Sequence, residues 1–329
     1  MTALIPVVAV LWGIAALLIV GALAVMMRRL ASVRLVIYGA TLTICSIMCV
    51  FVIVQLVARP ANISEIVLPL GLPWIGANFR LDALAAFFLV VINLGGAAAS
   101  LFGLGYGVHE SAPERVLPFF PLFMAGMNLV LAAADAFTFL LSWEFMSLAS
   151  WALVMTHHRE EENRKAGFVY IVMASFGTLA LLLAFGLMAG PDGGYAFAAM
   201  RAHGAPPGLA GLVLGLVLLG TGSKAGLVPL HVWLPLAHPA APSHVSALMS
   251  GVMTKVAVYG FIRIAFDLLA PVSWWWAVPV LFVGAITAVL GVLTALMQND
   301  IKRVLAYSTI ENIGLIFVAL GLVLAFQGN

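Results

Sequence analysis

The chain has 329 residues, 64% hydrophobic and 9% charged, with a mean hydropathy of +1.15 and a formal net charge of +2. Soluble globular domains carry about 25% charged residues, so this balance describes a polytopic membrane protein whose first partner is the lipid bilayer. The small net charge, without a basic stripe interleaved with aromatics, excludes a nucleic-acid partner.

A bilayer crossing takes ~20 apolar residues, and ten stretches are long enough: residues 4–26, 35–57, 83–103, 117–134, 136–155, 167–189, 209–236, 244–266, 274–297 and 304–326. The predicted fold is therefore an all-α polytopic membrane protein of about ten transmembrane helices, the seventh of them broken. The first stretch is expected to stay as a helix and not to be a cleaved signal, because its apolar run is too long and Arg28 and Arg29 follow it. Cys45 and Cys49, at i and i+4 in the second stretch, read as small packing residues, since no third or fourth ligand accompanies them. The segments Ala58 to Arg80 and Gly190 to Gly208 carry Pro, Gly and Asn and predict short structured loops.

Lys/Arg bias sets the orientation. With the N-terminus outside, the cytoplasmic loops hold Arg28, Arg29, Arg34, Arg115, Arg159, Arg164, Lys165, Lys302 and Arg303, and the opposite side holds Arg59, Arg80, Arg201 and Arg263. Nine against four predicts N-terminus out. Ten spans return the C-terminus to the outside, with Asn329 just past the last helix and no soluble domain expected after it.

Chemistry is concentrated in the ionisable residues inside the spans. Lys224 lies in an otherwise apolar run from Leu212 to Leu227, where a cation at bilayer depth costs at least ~2.5–3.5 kcal/mol. Glu144 lies midway along the fifth stretch, Lys255 midway along the eighth, and Glu311 one to two turns into the tenth. A buried Glu and Lys can pair merely to neutralise each other and fix helix register. Two lysines, two glutamates and three histidines around one interrupted helix point instead to an ion path. A lysine in low dielectric keeps or loses its proton according to whether a carboxylate is near, so displacing charge becomes a protonation switch. His231, His238 and His244 could relay protons between the lysines, although each reads equally well as a cap on a broken helix.

The interruption is predicted between Lys224 and Leu230, because Pro229 cannot donate to the carbonyl of Ala225 and clashes with it. Transporter folds place ion sites at such breaks. Gly220-Thr221-Gly222-Ser223-Lys224-Ala225-Gly226 superficially looks like a phosphate-binding loop, but that motif needs Ser or Thr after the lysine and a strand before it. Its glycines are expected to let helices approach closely and the backbone bend.

Several motifs carry a resemblance. His231-Val232-Trp233-Leu234-Pro235, the segment from His238-Pro239-Ala240-Ala241-Pro242-Ser243-His244 to Gly251, and Lys255 with Tyr259-Gly260 resemble the antiporter-like subunits of respiratory complex I (NADH:quinone oxidoreductase), Mrp-type cation/proton antiporters and membrane-bound hydrogenases. Trp143-Glu144 before Met146-Ser147, and Asp300 through Ser308, resemble two further signatures of that superfamily. Ser308-Thr309-Ile310-Glu311-Asn312-Ile313-Gly314 and the His-Pro-Ala-Ala-Pro-Ser-His segment are most similar to the large membrane subunit of hydrogenase-4 and formate hydrogenlyase complexes.

The resemblance implies that Glu144 on the fifth helix pairs with Lys224 on the broken seventh, and that Lys255 matches a further family lysine on the eighth. It implies three segments: N-terminal helices 1–3 in residues 1–115, an antiporter repeat of helices 4–8 in 116–268, and the start of a second, inverted repeat in 269–329. The family's second broken helix and exit half-channel would lie in helices beyond the tenth. They would belong to another chain or to a continuation of this one; otherwise the protein no longer pumps. The implied function is a proton-translocating subunit of a prokaryotic inner (cytoplasmic) membrane redox complex. Other membrane subunits and hydrophilic subunits would carry the iron-sulfur and metal centres, and this chain would have no cofactor or metal of its own. The alternatives are a Na⁺/H⁺ antiporter subunit of the Mrp kind and a non-conducting anchor.

Overall fold

The computed structural model describes residues 5–30, 32–59, 61–191, 193–205, 208–269 and 272–328, so Asn329 lies outside the described residues. Among the described residues, ten helical spans are long and apolar enough to cross a membrane: α1 Pro6–Met26, α2 Val33–Ala58, α3 Ala83–Tyr106, α4 Pro113–Ala132, α5 Ala136–His157, α6 Glu161–Ala189, α7 Ala210–Ala240, α8 Ser243–Leu268, α9 Trp274–Ala295 and α10 Ile301–Gln327. These match the ten apolar stretches to within a few residues. The structured loop before α3 adds an antiparallel hairpin, β1 Ser64–Leu68 with β2 Ala77–Leu81, to the helical plan. The loop before α7 contributes a short helix, Phe197–His203.

The chain packs as two compact units. Unit 1 comprises Met1–Arg164 and Ala240–Val256, hence α1–α5 and the first half of α8. Its core is built on Phe120, Phe123, Phe139 and Trp143, all fully buried. Asp135 joins two elements. It caps α5 by accepting from the Thr138 amide at 2.7 Å, and it accepts from the Asn78 amide of β2 at 2.8 Å. An unpaired carboxylate at that depth would be costly, and the two charge-assisted bonds offset its burial. A second polar lock crosses α3 and α4, where buried Asn93 donates to the side-chain carbonyl of Asn128 at 2.7 Å.

Unit 2 comprises Lys165–Pro239 and Ala257–Asn329. Helices α6 and α7 cross backbone to backbone: a Cβ on Gly177 would stand 2.9 Å from the Gly220 carbonyl oxygen. α9 and α10 do the same at Gly284, where a Cβ would stand 2.9 Å from the Gly314 carbonyl. Small residues at helix crossings are the expected solution where no hydrophobic force drives association in lipid.

Helix α10 begins at Ile301, three residues before the apolar stretch, because Asp300 caps it by accepting from the Lys302 amide at 2.7 Å. The helix therefore includes Lys302 and Arg303, which hydropathy leaves outside the span, and Glu311 sits about three turns in instead of one to two. Arg263, counted on the outer side near the end of the eighth stretch, is 4% exposed inside α8. Burial is made tolerable by Asp267, which accepts from Arg263 at 2.8 Å and from both ends of the Arg201 guanidinium at 2.7 and 2.8 Å. α8 is also not a uniform α-helix: Met249–Met253 and Arg263–Leu268 are π-helical.

Candidate functional site

The break in α7 is real and its bonding is specific. Regular helix runs from Ala210 to Ala225, a 3-10 turn covers Leu230–Trp233, and helix resumes at Leu234–Ala240. Gly226 stops the first segment in the left-handed region, with φ of 91°. Its amide and that of Leu227 both donate to the Gly222 carbonyl at 2.9 Å, a helix-ending pattern that glycine adopts without a Cβ penalty. The helix thus ends before Pro229 is reached, and Lys224 belongs to its last regular turn and not to the break. The Val228–Pro229 peptide is cis.

Backbone groups released by the break find partners within unit 2. The Ser223 carbonyl accepts from the Trp233 indole at 2.7 Å, and the Val228 amide donates to the Thr287 hydroxyl of α9 at 3.0 Å. In lipid each such group left alone would cost several kcal/mol, so Trp233 and Thr287 hold the irregular shape open.

Lys224 is 2% exposed. Its Nζ donates to the Tyr170 hydroxyl of α6 at 3.0 Å and lies 5.0 Å from the centroid of the same ring. Tyr170 meets Trp233 edge-on at 4.9 Å. The lysine is thus held by a phenol and a ring face, and the same ring packs on the tryptophan that ties the break. Tyr170 lies 54 positions away from Lys224 and reads in the sequence as one more aromatic in an apolar run, so nothing in the chain marks it.

The other residues divide between the units. His231 lies in the 3-10 turn of unit 2, its ring 6.5 Å from that of Tyr307, and its Nδ1 has no hydrogen-bond partner among the described residues. His238 is buried in the resumed helix, where Lys302 reaches the carbonyl of the next residue, Pro239, at 3.4 Å. Glu311 is half-buried on α10, with its backbone against Gly291 of α9.

In unit 1, Glu144 is half-buried on α5 beside fully buried Trp143, which stacks on Phe139 at 5.6 Å. Half-buried Lys255 donates to the Ser250 carbonyl at 2.9 Å and approaches the Thr254 hydroxyl at 3.4 Å. That carbonyl lies in the first π-helical turn of α8, a distortion found frequently at functional sites. His244 is buried against Tyr38 of α2, whose hydroxyl is 2.8 Å from its Nε2. Cys45 and Cys49 are both buried thiols, in keeping with a packing role.

Ten candidate spans among the described residues, a broken α7 and a buried lysine on the last turn before the break are the features of an antiporter-like membrane protein. The family described as "NADH:quinone oxidoreductase/Mrp antiporter, TM" matches residues 133–328, and the chain belongs to it. It is 44% identical over 248 residues to hydrogenase-4 component B of Escherichia coli (strain K12), covering 74% of this chain and 37% of that protein. Formate hydrogenlyase subunit 3 of the same organism is 31% identical over 253 residues, covering 76% of this chain and 40% of that protein. The chain thus spans well under half the length of these relatives. Among solved structures, the membrane-bound sulfane sulfur reductase, an archaeal respiratory membrane complex, superposes with a TM-score of 0.82 at 25% identity over 96% of this chain and 65% of the other. A chain of the Mrp complex from Dietzia sp. DQ12-45-1b shares the fold, with a TM-score of 0.83 at 24% identity over 98% of this chain and 59% of the other.

Proposed function

We propose that this chain is a proton-translocating subunit of a membrane-bound redox complex of the hydrogenase-4 and formate hydrogenlyase kind, in which electron transfer in partner subunits drives proton movement. The observation that carries this reading is Lys224: a cation at 2% exposure, at the end of a broken helix, whose hydrogen-bonding phenol also packs on the residue that ties the break. A purely architectural charge would need no such link, because a neutral residue of similar shape packs equally well or better.

In this reading Glu144 sets the proton affinity of Lys224 through its charge, Lys255 receives the proton on α8, and His231, His238 and His244 act as relays. Glu311 extends the set into α10. Helices α4–α8 serve as one antiporter repeat and α9–α10 as the start of a second. Iron-sulfur and metal centres reside in hydrophilic partners, and the protein lies in a prokaryotic inner membrane with its N-terminus outside.

Copurification from the native membrane tests the assignment at its coarsest level. A hydrogenase or formate dehydrogenase module should accompany the chain, whereas a set of small Mrp-like membrane proteins would assign it to cation/proton antiport. Lys224→Met tests the mechanism. The variant complex should assemble with its partners, and redox-driven acidification of proteoliposomes should fall at least ~10-fold, the scale of lost proton-transfer catalysis. Normal acidification by the assembled variant would leave a non-conducting anchor as the better description.

A further inference from the structure

Unit 1 contains a second set of exchangeable groups, at the membrane face where α2 begins, α3 ends and α8 begins. His244, the second residue of α8, is 2% exposed and 206 positions from its partner Tyr38. The contact requires space that α3 provides. A Cβ on Gly103 would stand 2.8 Å from the Tyr38 ring, and one on Gly107 would stand 3.2 Å from it. Beside this pair, Ser243 donates to the Tyr106 hydroxyl at 3.3 Å. The His244 Nδ1 is buried and has no hydrogen-bond partner among the described residues.

Leading from this cluster to the loop surface, His109 lies with its ring 6.4 Å from Tyr106. The next residue, Glu110, has a side chain 7% exposed and pairs with His157 Nε2 at 3.2 Å. His157 in turn lines a polar surface cavity of about 350 Å³ that includes Glu114, Arg115 and Glu160. Arg34, the remaining charged group on this part of α2, is turned to the Leu104 carbonyl at 2.6 Å.

We infer that Tyr38, His244, Ser243 and Tyr106 form a proton-intake site for α8, loaded from the Glu110–His157 pair; the inference rests on the proton-translocating reading above. Hydroxyl and imidazole groups both donate and accept, so a proton can pass without leaving a charge behind. With its proton on Nε2, His244 donates to Tyr38 and Nδ1 is open. A proton taken at Nδ1 from the loop side and one released from Nε2 to the Tyr38 hydroxyl, which passes its own proton through water toward Lys255, leave the ring neutral in the other tautomer and the phenol unchanged. The reverse transfer, or a turn of the ring, resets it. Lys255 lies eleven residues further along α8, about three turns or ~16 Å, and is the next ionisable group on that helix in the same unit.

The test uses His244→Gly in the complex purified with this chain and reconstituted in proteoliposomes. A groove of about 560 Å³ between α3 and α8 is lined by Ser243, His244 and Gly251, so added imidazole can reach the space left by the ring. Acidification should fall at least ~10-fold and return as imidazole is raised. Tyr38→Phe, which keeps the ring and removes only the hydroxyl, should lower acidification several-fold without loss of assembly. Normal acidification in assembled Tyr38→Phe overturns the inference, and decides the matter if His244→Gly does not assemble. A loss in His244→Gly that imidazole does not restore makes the contact structural and also overturns it. The two readings separate cleanly. Loss in Lys224→Met with normal His244→Gly removes the intake site alone. Imidazole-restored loss in His244→Gly with normal Lys224→Met removes the Lys224 mechanism alone. A wild-type complex that does not acidify removes both.

Discussion

The two membrane lysines sit beside two different backbone irregularities. Lys224 ends a helix that stops at a left-handed glycine, and its ammonium meets a side chain from another helix, Tyr170. Lys255 lies just past a π-helical turn within a continuous span, and its ammonium meets a carbonyl of its own helix, Ser250. The environment of Lys224 therefore changes if α6 moves against α7, whereas that of Lys255 is set locally and travels with α8. A lysine that senses tertiary movement is suited to be the switch, and one held by its own helix is suited to be the receiver.

Removing the switch should have the largest effect. Lys224→Met should abolish most coupled acidification, and Lys255→Met should lower it too, by a smaller factor, because only the first lysine is linked to the break. Equal losses in the two variants would erase the distinction.

Next in size is the support of the break. Thr287→Val removes the acceptor of the half-buried Val228 amide, which should cost about 1–3 kcal/mol. It should appear as a lower unfolding midpoint of the purified protein, by more than the shift that Thr254→Val near Lys255 produces. Gly226→Ala places a Cβ in the left-handed region, 2.8 Å from the Leu234 side chain. The backbone strain alone is about 1–2 kcal/mol, again read from the unfolding midpoint. An unchanged midpoint would mean that the helix end tolerates another conformation.

The smallest effect is expected at Ser250. Its carbonyl accepts from the Thr254 hydroxyl at 2.7 Å as well as from Lys255, so Thr254→Val removes one of two bonds, worth about 0.5–1.5 kcal/mol. Loss of acidification in this variant comparable to Lys224→Met would show that Lys255 depends on more than its own helix.

Span count, the broken helix and the unusual position of Lys224 were legible in the sequence because each rests on local chemistry. Twenty apolar residues can cross a bilayer only as helix, a proline interrupts it, and a lone cation in such a run is conspicuous against its cost. The helix ends were less legible. Hydropathy stops where charge begins, but a helix stops where its caps are, which is why α10 reaches back to Asp300 and why Gly226, not Pro229, closes the first part of α7.

Partners of the polar groups were not legible at all. Tyr170, Thr287 and Tyr38 carry no local mark of their roles, since a phenol or a hydroxyl becomes the partner of a buried group only when packing brings it there from 54, 59 or 206 positions away. The π-helical turns of α8 belong to the same class, as nothing in Met249-Ser250-Gly251-Val252-Met253 distinguishes it from ordinary α-helix. The sequence by itself determined what must lie in the membrane and which charges are costly there, because transfer from water to lipid is a property of each residue. Only the tertiary structure decided which groups make those charges tolerable, because a hydrogen bond is a property of two residues and a geometry.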